Sequence, residues 1–407
     1  MVAAAAKHAQ SSWILSARWI FPVDQKPIPG GSITITAGRI VAVEPKGQRK
    51  ADEDLGKVAI LPGLVNAHTH LDLTGLRGLT PPTPDFTGWL RAVIDQRRRR
   101  SPKQVQADIQ AGLAESLKYG TTLVGDISAQ RQSWPILADA SVRAVVFFEL
   151  LGLTRERALA ARTAAKTWLK DHPATETCRP ALSPHAPYSV RSSLFTQAAM
   201  MAKNSKCPLA VHLAETMDEL ELLHFQRGPF VDFLKEMGVW DPRGLTKNPA
   251  LIMNKCAENI PTLFIHGNYL ASSARIPRQS SVIFCPRTHA AFGHSPHPFR
   301  AFLSRGIRVA LGTDSLASNP DLDLLAEARF LKRNYPDVPG ATLLRMATLW
   351  GAEALGWHEE TGSLTPGKSA DLVILSLPKR KPADPHQLVL DSDLAVNRVM
   401  FQGKWII

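Results

Sequence analysis

A chain of 407 residues is too long for one small domain and has room for a barrel of about 250 residues plus a smaller companion. Its composition, 44% hydrophobic and 21% charged, is that of a soluble globular protein and argues against a fibrous or disordered one. The 48 basic against 36 acidic residues leave a net charge of +12, which permits nucleic-acid binding, yet no basic motif interleaved with aromatics supports it and none is expected.

In chain order, residues 1–10 are Ala-rich, interrupted by Lys7 and His8, and no apolar core with a cleavage site follows, so no signal peptide is expected. No apolar run reaches the roughly 18 residues of a membrane span, so no membrane association is expected either. Residues 31–36 alternate, Ala37-Gly38-Arg39 turns, and 40–43 continue as a strand. The segments 369–375 and 397–405 read the same way, so both termini are expected to build one small β-sandwich domain, residues 1–60 and 365–407. Between them, residues 61–364 alternate short apolar strands with helical patterns. The strands are expected at 64–68, 121–127, 143–150, 179–183, 208–213, 262–266, 282–285 and 308–313. Ser101-Pro102 has the form of an N-cap followed by proline at the first helical position, and helices are also read near 155–170, 191–204 and 321–333. The basic run Arg97 to Arg100 ends a helical stretch and reads as a solvated helix end. Strands alternating with helices in this number favour an α/β fold of the (β/α)8, TIM-barrel type. An open doubly wound sheet would want a glycine-rich phosphate loop after its first strand, and Asn66-Ala67-His68-Thr69-His70 is not one.

In such a barrel, reacting groups sit at the C-terminal ends of strands. The first strand ends in His68 and His70, which point to one side of a strand and can share a metal ion. The fourth ends in His185, the fifth in His212 followed by Glu215, the sixth in His266 and the eighth in Asp314. Ligand-type residues in five separate segments thus fall at one rim. Cys178, Cys207, Cys256 and Cys285 form no C-x-x-C pair and suit a reducing cytoplasm.

The run Pro62 to His70, the flanking β segments and the late stretch Gly362 to Val373 resemble the amidohydrolase superfamily, and within it the methylthioadenosine/S-adenosylhomocysteine deaminase and chlorohydrolase branch. The resemblance implies a metal-dependent enzyme with His68, His70, His212 and Asp314 as ligands. That donor set suits zinc and also admits iron. Binuclear relatives carry a lysine on strand four. None lies between Lys170 and Lys203, so one divalent metal is expected.

The resemblance further implies a hydrolytic deaminase of an adenine-containing nucleoside, in which metal-activated hydroxide attacks the ring carbon and ammonia leaves. Asp314 would take a proton from the water, Glu215 would protonate a ring nitrogen, and His266 would hydrogen-bond the developing oxygen. His185, in His185-Ala186-Pro187-Tyr188, corresponds to a histidine that contacts substrate. Trp89 is read either as a wall for the base or as a core aromatic. After strand seven the chain carries Cys285-Pro286-Arg287-Thr288-His289, a short match to the aminodeoxyfutalosine deaminases of menaquinone biosynthesis. Arg287 is therefore expected to grip a substrate carboxylate, with pairing to a nearby acid as the alternative, and His289 to contact substrate. His289, His294 and His297 could suggest a second metal, but no carboxylate stands beside them. Deamination of methylthioadenosine or S-adenosylhomocysteine, triazine-type chlorohydrolysis or aminohydrolysis, and a non-catalytic scaffold are the alternatives. The expected partner is a small-molecule substrate, with self-association into a homodimer left open.

Overall fold

The computed structural model describes residues 12–129, 131–256 and 260–407. The signal-peptide expectation for residues 1–10 lies outside them. Eight parallel strands follow one another in chain order around a barrel: β1 (Leu64–Thr69), β2 (Thr121–Ser128), β3 (Arg143–Leu150), β4 (Cys178–Pro184), β5 (Leu209–Leu213), β6 (Thr262–His266), β7 (Ser281–Phe284) and β8 (Val309–Leu311). Their residues are almost all buried, as expected of strands covered by helices outside and side chains within.

The seam between β8 and β1 is closed by a parallel bridge between Thr69 and Asp314. Asn66 stitches the same seam: its amide donates to Thr313 Oγ1 at 2.7 Å and accepts from Thr313 N at 3.1 Å. Gly312 allows this close approach, because a Cβ there would sit 2.8 Å from His68 O. The strands align their C-terminal ends at this seam, so the motif around His68 meets the one around Asp314.

Helix Pro102–Lys118 shows how local sequence fixes the frame. Ser101 accepts from Gln104 N, and the Gln104 side chain accepts from Ser101 N, a reciprocal cap. Such a cap contributes about 1 kcal/mol.

The terminal segments form two sheets. One orders Arg39–Glu44, Ser32–Thr36, Trp13–Ser16 and Glu53–Asp54; the other orders Lys404–Trp405, Val396–Phe401, Leu372–Ser376, Val58–Pro62, Trp19–Ile20 and Ile28–Pro29. Leu15, Ile33, Ile60, Leu372 and Met400 fill the space between them. The hairpin at Ala37-Gly38 has positive φ at both turn residues, 52° and 75°, as a two-residue turn between twisted strands demands. Among the described residues, no helix is long and apolar enough to cross a membrane.

Candidate active site

Each barrel strand that ends in a ligand-type residue delivers it to one point. His68 and His70, two apart on β1, bring their Nε2 atoms to 3.5 and 3.7 Å from Asp314 Oδ1. Ligand atoms of His68, His70 and Asp314 lie within 4.8 Å of one another, and so do those of His68, His212 and His266. His68 belongs to both groups. Asp314 is steadied from behind, its Oδ2 accepting from Ser318 Oγ at 2.9 Å. The His212 ring is fixed by Nδ1–H donating to the His185 carbonyl at 3.1 Å, which turns Nε2 inward. His266 and Asp314 hold φ of +63° and +58°, a conformation that costs a non-glycine residue about 1–3 kcal/mol. The strain lies in the turns that aim these two side chains into the barrel mouth.

A divalent metal fits this cluster on chemical grounds. Both ring nitrogens of His68 are buried with no hydrogen-bond partner. An unsatisfied buried polar atom costs about 1–3 kcal/mol, and a ligand bond to a cation would remove that cost at one nitrogen. Burial lowers His70 and His212 well below the usual imidazole value and His266 to about 3. The rings are therefore neutral, the form that binds metal. Burial opposes the charge of Asp314, but the His68 imidazole beside it and the other neighbouring imidazoles win and hold its carboxyl below the usual range.

Glu215 follows β5 on a turn held by Glu219, whose carboxyl accepts from Ala214 N and Glu215 N, each at 3.0 Å. Thr216 caps the helix that follows, Met217–Phe225. Burial first, then the charges of Asp314 and Glu219, raises Glu215 well above a normal glutamate. Its Oε1 lies 3.3 Å from His266 Nε2. A buried carboxyl whose environment favours its protonated form thus faces the histidine cluster.

The cluster opens into a cavity of about 380 Å³. His70, His212, Glu215, His266 and Asp314 line its floor, and His185 and Trp89 also line it. Trp89 Nε1 donates to Thr80 O at 2.9 Å, which anchors the indole while its ring borders the cavity. The structure corrects two expectations. Arg287 does not line this cavity: Asp321 holds it through two hydrogen bonds of 2.6 and 3.1 Å, and Glu327 holds its Nε at 2.6 Å. These acids occupy the guanidinium expected to reach a substrate anion. His289 likewise turns away, its Nε2–H donating to Ser295 O at 3.0 Å. Its neighbour His297 donates to the His266 carbonyl at 2.8 Å, so it supports the site from behind. Among the described residues, groups of three or more metal-type ligands occur only around His68.

A third correction concerns the run Arg97 to Arg100. Arg98 and Arg99 are exposed, as the solvated reading expects, and Arg99 pairs with Asp95. Arg97 pairs with buried Asp72 at 2.7 Å and lines the cavity, and Arg100 pairs with Asp108. Glu149, at the end of β3, also lines the cavity and was missed. The strand-end rule that found the other residues would have found it.

The chain matches the Amidohydrolase family over residues 59–406. It is 30% identical over 383 residues to a 5-methylthioadenosine/S-adenosylhomocysteine deaminase of Syntrophobacter fumaroxidans, covering 88% of this chain and 82% of that protein. The crystal structure of Helicobacter pylori aminofutalosine deaminase superposes with a TM-score of 0.83 at 25% identity, covering 98% of this chain and 100% of that one. An adenosine deaminase from Xanthomonas campestris, solved with bound zinc, shares the fold at 24% identity with a TM-score of 0.78, covering 97% and 92%. A full-length fold match and a matched family domain thus agree with the histidine cluster at the barrel mouth: the chain belongs to the amidohydrolase family and is a hydrolase acting on carbon–nitrogen bonds.

Proposed function

We propose that the chain is a metal-dependent hydrolytic deaminase of an adenine-containing nucleoside. One observation carries the reading: in a single cavity, a donor set of three imidazoles and a carboxylate faces the buried carboxyl of Glu215, 3.3 Å from His266, in surroundings that raise its pKa. The deaminase relatives in sequence and structure support it.

His68, His70, His212 and Asp314 would hold one divalent ion, zinc by the chemistry of the donors. Such an ion brings the pKa of a coordinated water towards neutrality. Asp314 takes one proton of the attacking water. The water oxygen adds to the ring carbon that bears the amino group, while Glu215 gives its proton to the adjacent ring nitrogen. His266 hydrogen-bonds the oxygen as charge develops on it. The carbon–nitrogen bond then breaks, the amino group leaves as ammonia with the proton from Asp314, and the remaining hydroxyl proton returns to Glu215. Trp89 and His185 border the bound base and sugar.

An aminodeoxyfutalosine-like nucleoside, with an anionic aryl group on its 5′ side, is the favoured substrate. Arg287 no longer supports this choice. The full-length likeness to aminofutalosine deaminase does. So do Arg98 and Arg157, exposed cavity-lining residues whose side chains have no ion-pair partner among the described residues, close to Leu151, which is 53% exposed. The curated relative favours methylthioadenosine as the alternative. Four buried, unpaired cysteines support a reducing, cytoplasmic setting. Ammonia release measured across adenosine analogues with neutral and carboxylated 5′ groups tests the reading. Turnover of at least one is expected, with lower KM for the carboxylated ones. Failure on all of them refutes it.

A further inference from the structure

Glu149 ends β3 and lines the cavity, yet its carboxylate has no hydrogen-bond partner among the described residues. Its side chain is only 5% exposed. Taking a carboxylate out of water without giving it a donor is costly, so a buried free one that faces a cavity implies a donor supplied by a ligand. The Arg97 guanidinium, hydrogen-bonded to Asp72, offsets the Glu149 charge without a hydrogen bond to it. Across from the carboxylate lies His185 Nε2, 4.0 Å from Glu149 Oε1. That is too long for a hydrogen bond.

The state of His185 follows from its other nitrogen. Nδ1 lies 2.7 Å from Ser189 Oγ, and Ser189 Oγ donates its single proton to Ala186 O at 3.1 Å. Nδ1–H must then be the donor to Ser189. Nε2 is left as a lone pair facing the cavity. Glu149 and His185 Nε2 are thus two acceptors side by side, neither of them hydrogen-bonded to Arg97, whose guanidinium is held by Asp72. A second metal ion does not suit the pair, because no third ligand lies with them among the described residues. A group offering two adjacent O–H donors does.

We propose that Glu149, beside His185, receives the vicinal diol of the substrate's ribose and makes the enzyme select ribonucleosides over deoxynucleosides. This rests on the nucleoside-deaminase reading. The base has to reach the histidine cluster on the floor, and the sugar then falls on the wall that β3 and β4 supply. One hydroxyl donates to Glu149 and its neighbour to His185 Nε2. A charge-assisted bond of this kind is worth about 10–100-fold in binding.

The test uses the full-length, metal-loaded enzyme and steady-state kinetics on 5′-methylthioadenosine and its 2′-deoxy and 3′-deoxy analogues. The wild type should prefer the diol by about tenfold or more in kcat/KM. Glu149→Gln keeps the shape but loses the charge. It should raise KM for the diol substrate by about 10–100-fold, leave kcat close to its original value, and change the deoxy analogues little, so that the preference collapses. If Glu149→Gln does not fold, the wild-type preference decides: equal kcat/KM on all three nucleosides overturns the proposal. Turnover by Glu149→Gln with the preference intact also overturns it and leaves the deaminase reading standing. No ammonia from any nucleoside, while metal is bound, overturns both.

Discussion

Replacing Arg287 with alanine separates a structural role from a substrate-binding one. The guanidinium is 13% exposed and bridges two acids, bonded twice to Asp321 and once to Glu327. Glu327 is fully buried, and Arg287 N and Asn319 Nδ2 also donate to it, at 2.9 and 2.7 Å. Breaking a buried pair by removing one partner typically costs about 3–5 kcal/mol, because the other charge stays behind. The two remaining donors put Arg287→Ala at the lower end, about 3 kcal/mol. At an unfolding entropy of about 2 cal/mol/K per residue, that lowers the Tm of a 407-residue chain by about 4 °C. The effect on catalysis should be shared between substrates. Glu327 holds Asn319, and Asn319 donates to the Thr313 carbonyl next to Asp314, so any disturbance reaches the metal ligand and not the substrate's 5′ group. Thermal unfolding and parallel kinetics on a carboxylated and a neutral nucleoside check this. An unchanged Tm together with a KM rise confined to the carboxylated substrate would refute the reasoning and restore Arg287 as an anion clamp.

Metal analysis of the purified protein should find about one divalent ion per chain, as four ligands and no strand-four lysine imply; two equivalents that both survive dialysis would contradict this. Glu215→Gln should retain its metal and lose about 10²–10⁴-fold in kcat, since the amide cannot shuttle a proton, and a variant with half the normal rate would remove Glu215 from proton transfer. The pH profile has a definite sign. Glu215 acts in its protonated form and its pKa is raised, so activity should persist above the normal glutamate range and fall as pH rises through the shifted value. Glu219, itself raised to about 7 by burial, adds to that shift when charged. Glu219→Gln should therefore move the descending limb to lower pH, and a limb that stays in place or moves up would show that Glu219 does not act on Glu215.

The barrel was readable from sequence because its strands are short, apolar and bounded by helical periodicity, and because its chemistry sits at strand ends. His68, His70, His212, His266 and Asp314 could be named from that rule, and the structure brings all five together. Pairing across the fold was not readable. Arg97 and Arg100 lie in a run that looks solvated, and only the three-dimensional structure puts Asp72 and Asp108 against them. Arg287 follows a barrel strand as a ligand-binding residue would, but Asp321 and Glu327 are 34 and 40 residues further on, and sequence distance hides such partners. His289 stands at a strand end too, yet the helix Pro286–Ala291 begins there and its first turns carry the side chain away from the cavity. Glu149 is the converse case. It sits at the end of an apolar strand, where the rule that named the histidines applies to a lone acid as well.

The central claim is hydrolysis by water at a ring carbon of an adenine nucleoside, dependent on the metal cluster. The direct measurement incubates the enzyme, stripped of metal and then reloaded with zinc, with an adenine nucleoside in isotopically labelled water, and follows the product by mass. The account predicts no reaction from stripped protein. After reloading, it predicts one ammonia released and one labelled oxygen on the base for each turnover. Stripped protein that deaminates as fast as reloaded protein, or reloaded protein that binds zinc and leaves every nucleoside unchanged, would contradict it.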